Sequence, residues 1–378
     1  VYASISTFVA SRSLRSLAVT VFVFAAAGIG PARADEAPEP RAQDHRRLLH
    51  FVGDQGQEQP VRTAADWELR RRDIITGIEA TMGPLPDRSG LGAPRFESVP
   101  GSRAETATFT REKLRIDVGD GDFVPAWLLV PTGIAGRAPG ILALHQTNGA
   151  LGKDEVAGLA GSDNLRYGLE LVERGYVVLA PDYPTLGEYA YDFNSGQFVS
   201  GSMKGIWNHM RCIDLLSARD DVDPTRIGAI GHSLGGHNAI FLATFDPRVK
   251  AVVSSCGWTP FHDYYRGDLK GWAGERYVPR IREVYGLDPD RVPWDYYEMI
   301  AALAPRAFFT SSPMRDANFD VAGVKKAIPV AREIYDLLGV GDRLQVIYPD
   351  SEHDFPPHAR EQAYQFLDRS LGHAPAGK

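Results

Sequence analysis

From about residue 104 to the C-terminus, short apolar runs alternate with longer amphipathic ones. Residues 106–118 and 123–130 read as a pair of early strands, with Gly119-Asp120-Gly121-Asp122 as the turn between them. Residues 139–145, 175–180, 226–230, 249–254, 306–311 and 344–348 are short and mostly apolar throughout, the pattern of strands buried on both faces. Between them, residues 165–174, 203–218, 237–244, 324–338 and 360–371 carry helical patterns. Fully apolar strands alternating with helices imply an α/β fold, a doubly wound and mostly parallel sheet with helices on both faces. In such sheets reactive groups lie just beyond the carboxyl ends of the strands.

The pattern breaks in two places. Residues 258–303 show helical fragments and no clear strand, and the segment is rich in aromatics: Trp258, Phe261, Tyr264, Tyr265, Trp272, Tyr277, Tyr285, Trp294, Tyr296 and Tyr297. It reads as a helical cap insertion whose aromatics either pack the cap or, where exposed, stack on sugar or aryl groups. Ahead of the sheet, Trp67, Leu69, Ile74, Ile75, Ile78 and Met82 mark an amphipathic helix stopped by Gly83-Pro84-Leu85-Pro86. Residues 35–60 are polar, with Pro38 and Pro40, and read as a linker. The expected division is therefore 1–34 as a leader, 35–100 as linker and N-terminal helical extension, and 101–374 as the main domain with its cap at 258–303.

The first residues carry targeting chemistry. Arg12 and Arg15 precede an apolar stretch over residues 17–29, and Ala32-Arg33-Ala34 offers a small-x-small cleavage site. That is the pattern of a secretory signal peptide cleaved near Ala34, so the mature protein is expected to be secreted or periplasmic, with no membrane span. The formal net charge of −7 gives no basic footprint for nucleic acid. Of the two cysteines, Cys212 falls in an apolar helical run and Cys256 at the end of a strand, which reads as two buried free thiols.

One turn in this pattern carries chemistry. Gly231-His232-Ser233-Leu234-Gly235-Gly236 sits between an apolar strand and a helix, the context in which G-x-S-x-G presents a nucleophilic serine on a sharp, strained turn. A serine hydroxyl attacks only when a base takes its proton, and the base needs a carboxylate to hold its tautomer. The strand ending near Ser311 is followed by Asp316, with Asp320 in reserve. The strand ending near Tyr348 is followed by His353, while the competing His358 already starts the last helix. Serine, acid and histidine thus occur in the chain order of nucleophile-elbow enzymes. Oxyanion donors are expected from the backbone N–H of Leu234 and from the turn after residue 145, at Thr147 or Gln146. Asp182-Tyr183 and Glu188-Tyr189 follow another strand end and are candidates for lining the pocket. The histidines show no metal-ligand spacing, so neither a metal nor a cofactor is expected.

These residues resemble the α/β-hydrolase superfamily, and within it bacterial dienelactone-hydrolase-like and acetyl-xylan-esterase-like enzymes. The resemblance covers roughly residues 67–371. It rests on Leu144-His145-Gln146-Thr147, Gly152-Lys153-Asp154-Glu155, the run from Gly175 to Pro184, Asp223-Pro224-Thr225-Arg226-Ile227-Gly228, the serine turn, Glu352-His353-Asp354-Phe355-Pro356 and the helix ending in Met82-Gly83-Pro84-Leu85-Pro86. It implies Ser233 as nucleophile, Asp316 as acid, His353 as base, and donors at Leu234 and near Thr147. Dienelactone hydrolases proper use cysteine where this chain has Ser233. The glycine-rich oxyanion strip of lipases is replaced by His145-Gln146-Thr147-Asn148-Gly149, and the arginine that glucuronoyl esterases usually place after the serine is here Leu234. The expected activity is hydrolysis of a carboxylic ester, such as an acetyl ester of a carbohydrate. A serine peptidase of the same fold and a noncatalytic binding protein on a hydrolase scaffold are the competing readings.

Overall fold

Six of the apolar runs lie side by side, all parallel, in the larger part of a ten-stranded sheet. The computed structural model describes residues 44–53 and 56–375, so the expected leader at 1–34 and the start of the linker lie outside the described residues.

A hairpin of β1 (His50–Val52) and β2 (Glu58–Pro60) comes first. It falls in the stretch expected to be linker. Its strands of three residues bury little, so they leave no apolar run in the sequence. Helix α1 (Ala64–Met82) follows, started by a capping box in which Thr63 and Asp66 satisfy each other's backbone N–H groups. Its buried face, Trp67, Ile74, Ile78 and Met82, joins the core on one side of the sheet.

The sheet's antiparallel edge comprises β3 (Phe96–Ser98), β4 (Ala104–Glu105), β5 (Phe109–Gly119) and β6 (Asp122–Pro131). β3 is wholly exposed and lies in the segment expected to be extension. Next come β7 (Ala138–Leu144), the short α2 (Lys153–Val156), α3 (Tyr167–Glu173), β8 (Val177–Pro181) and α4 (Gly201–Ser217). The serine turn joins β9 (Val222–His232) to α5 (Leu234–Phe245), and β10 (Val249–Ser255) follows. The cap holds only short helical turns, among them α6 (Arg280–Glu283) and α7 (Tyr296–Ala301), and no strand. The chain closes through β11 (Ala307–Ser311), α8 (Val321–Leu337), β12 (Leu344–Ile347) and α9 (Pro357–Leu371).

The strand order is β12-β11-β10-β9-β7-β8-β6-β5-β3, with β4 also paired to β5. Successive side chains of a strand point to opposite faces. In β7, Leu142 and Leu144 join the core that includes α1, α4, α5 and α8, while Ile141 and Ala143 join the one that includes α3 and α9. Both faces of the parallel strands are therefore covered, which is why their sequences run apolar without alternation. β9 starts four residues before its apolar run. Val222 and Asp223 pair with Ala138 and Pro139, and a register shift after Pro139 absorbs the polar residues that follow. Among the described residues no helix is long and apolar enough to cross a membrane.

Candidate active site

Because β7 to β12 run parallel, the turns after their last residues share one edge of the sheet. Ser233 stands after β9 and immediately before α5, with φ 54° and ψ −118°. The left-handed φ is a strained conformation for a residue with a side chain, and it is held by main-chain bonds. The Ser233 N–H donates to the Ser255 carbonyl at 2.8 Å, and the Ser233 carbonyl accepts from the N–H groups of Gly236 (2.9 Å) and His237 (3.2 Å). The Ser233 hydroxyl makes no cap bond to the helix and borders a small crevice.

Glycines make the turn possible by close approach. A Cβ on Gly235 would lie inside the Leu144 carbonyl group, and one on Gly236 would meet the Gly257 Cα at 2.9 Å. Backbone cannot move aside as a flexible side chain can. Gly235→Ala should therefore lose about 1–3 kcal/mol of stability, the usual scale of overpacking. A urea denaturation series on both proteins checks this, and an unchanged midpoint would mean that the turn does not press on β7.

The structure brings His353 and Asp316 together. His353 Nδ1 lies 3.0 and 2.9 Å from the two carboxylate oxygens of Asp316. Oδ1 also accepts the N–H groups of Asn318 (2.8 Å) and Phe319 (3.0 Å). Burial pushes the Asp316 carboxyl up, but the hydrogen bond and charge of His353 and the two backbone donors outweigh it, so its pKa is lowered. Asp320 does something else: it caps α8, accepting the Ala322 N–H at 2.8 Å. His358 lies in the first turn of α9 and is exposed. Of each competing pair, one member is in the acid–base contact and the other is not.

The turn after β7 is fixed by a buried histidine. His145 donates from Nδ1 to the Gln146 carbonyl (2.6 Å) and accepts the Tyr183 N–H on Nε2 (3.0 Å). Burial lowers its pKa, consistent with the neutral tautomer those two bonds require. Gln146 turns to Glu155 (2.9 Å), whereas Thr147 borders the crevice and its hydroxyl meets the Tyr277 hydroxyl at 3.3 Å. On the other side Leu234 is the first residue of α5, so its N–H has no acceptor within the helix.

The crevice has a volume of about 60 Å³ and is bordered by Ser233, Leu234, Thr147, His237, Trp272 and Phe319, among others. Asp182, Tyr183, Glu188 and Tyr189 do not border it. The Asp182 carboxylate is fully buried against the Lys153 ammonium (2.7 Å) and the N–H groups of Lys153 (2.8 Å) and Glu188 (3.0 Å). Glu188 pairs with Lys113 (2.7 Å) and Lys153 (2.9 Å), and the Tyr183 hydroxyl donates to the Arg276 carbonyl (2.7 Å). These groups brace the turn instead of facing a substrate. Most cap aromatics pack inward too. Trp258, Phe261, Tyr285, Trp294 and Tyr296 are buried; Tyr265 is exposed, and its hydroxyl donates to Asn318 at the crevice (2.8 Å).

Cys212 and Cys256 are buried free thiols. Cys256, after β10, lies with its sulfur and ligand atoms of Asp316 and His353 all within 4.8 Å of one another, an approach that no local motif signals. These three could offer ligands to a metal ion, but Asp316 and Nδ1 are already engaged with each other. Burial, and then the Asp316 charge, push the Cys256 thiol well up, so it stays protonated. Its Sγ donates to the Asp354 carbonyl at 3.4 Å, beside His353.

A mostly parallel sheet wrapped by helices, with a serine elbow after β9, an aspartate after β11 and a histidine after β12, defines an α/β hydrolase. The chain belongs to the prolyl oligopeptidase family, whose model matches residues 164–374, more than half of its length. It is 26% identical over 301 residues to the Bacillus subtilis (strain 168) protein YtaP, a hydrolase by name, covering 77% of this chain and 96% of that one. It is 24% identical over 341 residues to carbohydrate esterase MZ0003, from an unknown prokaryotic organism, covering 74% and 76%. Among solved structures, the glucuronoyl esterase from Solibacter usitatus superposes with a TM-score of 0.67 at 20% identity, covering 89% of this chain and 100% of that one. At that identity the likeness is one of fold.

Proposed function

We propose that the protein is an exported serine esterase that cleaves a carboxylic ester of a carbohydrate, an acetyl or similar ester, through an acyl-enzyme on Ser233. The observation that carries this reading is the Asp316–His353 pair on the sheet edge that also presents the strained Ser233 elbow. In it, Ser233 Oγ attacks the ester carbon as His353 Nε2 takes its proton. Asp316 holds the proton on Nδ1 and offsets the imidazolium charge. Collapse of the tetrahedral intermediate expels the alcohol, which receives the proton from His353. Water, deprotonated by the same imidazole, then releases the acid and restores the serine. The N–H groups of Leu234 and Thr147 are the oxyanion donors, each worth about 3 kcal/mol in the transition state. The sequence of steps calls for no cofactor.

The carbohydrate part rests on the relative named a carbohydrate esterase and on a fold shared with a glucuronoyl esterase. Export rests on the leader pattern at residues 1–34, which directs the substrate search outside the cytoplasm.

Membership of the prolyl oligopeptidase family keeps one second reading in play, a peptidase using the same residues. Turnover of p-nitrophenyl acetate, acetylated xylan, feruloyl esters and a methyl ester of glucuronic acid, set against aminoacyl p-nitroanilides, separates the two. Ester turnover with negligible anilide turnover is expected; the reverse would replace the esterase reading with the peptidase one.

A further inference from the structure

Two residues that border the crevice at Ser233 carry buried polar atoms that the fold leaves without partners. His237, on α5 one turn after the serine, is 3% exposed, and neither ring nitrogen makes a hydrogen bond of ordinary geometry with any described residue. Trp272, from the cap, is also 3% exposed, and its indole N–H is likewise unpartnered. Both side chains border the crevice, with their ring centroids 4.8 Å apart. An unpaired buried donor or acceptor carries a standing cost, and these atoms belong to two residues that border one small crevice. Trp67 and Trp294 also bury unpartnered indole N–H groups, but neither borders the crevice. The coincidence of His237 and Trp272 beside Ser233 is what points to a ligand.

The protonation state narrows the ligand's chemistry. Burial pushes the His237 imidazole down to about 3, against a smaller upward pull from the Gly257 carbonyl. At neutral pH the ring is uncharged, with one N–H and one lone pair. Phe241 at 5.3 Å and Tyr277 at 6.1 Å enclose it further, centroid to centroid. A carboxylate would find two N–H donors here but would face the imidazole lone pair and no cation. A hydroxyl both donates and accepts. It can give its proton to the imidazole lone pair while accepting from the indole N–H.

We propose that His237 and Trp272 form a subsite for hydroxyl groups of an uncharged sugar ring held beside Ser233. This rests on the esterase reading and adds to it what the crevice selects. The sugar could enter as the alcohol of the ester, as in an acetylated xyloside, or as its acyl part, as in a glucuronic acid methyl ester.

The test uses the wild-type protein first. It compares kcat/KM for a mono-acetylated methyl xyloside and for methyl glucuronate, each with its remaining hydroxyls free or O-methylated. At least about a tenfold preference for the free-hydroxyl form is expected in one series, and that series identifies which side of the ester carries the sugar. The second arm measures selectivity, the ratio of kcat/KM on the preferred sugar ester to that on p-nitrophenyl acetate. His237→Leu should lower this ratio about tenfold, and His237→Gln, which keeps a donor and an acceptor, should recover most of it. If the wild type hydrolyses esters with no hydroxyl preference, or if folded His237→Leu loses both substrates equally, the subsite is overturned and the esterase reading stands. If the wild type hydrolyses no ester, the esterase reading falls and the subsite falls with it.

Discussion

Ser233→Ala is expected to reduce ester hydrolysis by a factor of about a million while leaving the fold intact. Loss on that scale follows from the proposed mechanism, in which the hydroxyl is the attacking group. Without it, the crevice can still bind an ester and polarise its carbonyl, but no acyl-enzyme forms. The fold should persist because the elbow is held by main-chain groups. The Ser233 N–H bonds to Ser255, its carbonyl serves Gly236 and His237, and its hydroxyl caps nothing. Alanine keeps the Cβ and the φ of 54°, so strain is neither added nor relieved. Steady-state kinetics alongside a thermal melt reads both quantities. An unchanged rate would sink the catalytic assignment and favour a noncatalytic protein on a hydrolase scaffold. A large loss of melting temperature would mean that the hydroxyl has a structural role the geometry does not show.

The central sheet was legible because burial on both faces removes the need for polar residues in a strand, and β7, β8, β10 and β11 are short apolar runs. The turn at Ser233 was legible because close packing forces glycine at Gly235 and Gly236. What escaped were elements that bury little or whose partners are distant in sequence. The exposed β3 and the small hairpin of β1 and β2 carry no hydrophobic period. Asp182 follows a strand end as Asp316 does, but Lys153, 29 residues earlier, draws its carboxylate inward. Position along the chain gives a residue's place on the sheet edge and not the direction of its side chain. His237 shows the same limit. In the sequence it is one polar residue in an apolar helix, and only the arrival of Trp272 from the cap makes its unpartnered nitrogens informative.

That limit is most consequential for the acid, where two aspartates four residues apart both suited the loop after β11. Asp316→Asn should lower kcat by about 10,000-fold, while Asp320→Asn should change it by less than about threefold. The contrast comes from what each carboxylate touches. Asp316 Oδ1 accepts the N–H groups of Asn318 and Phe319, so an asparagine there would keep its amide oxygen on those donors. Its NH2 would then face His353 Nδ1 in place of Oδ2. Nδ1 would have to accept, the ring proton would move to Nε2, and the nitrogen that must take the serine proton would already carry one. Binding of the ester should change little, so the loss should fall on kcat more than on KM. Among the described residues the Asp320 carboxylate bonds only to the first turn of α8, and asparagine caps a helix about as well as aspartate. Paired kinetics on the two variants decides the question. If Asp320→Asn suffers the larger loss, the loop rearranges when substrate binds and the contact between Asp316 and His353 is not the one that works in turnover. If neither variant loses activity, His353 acts without a carboxylate partner.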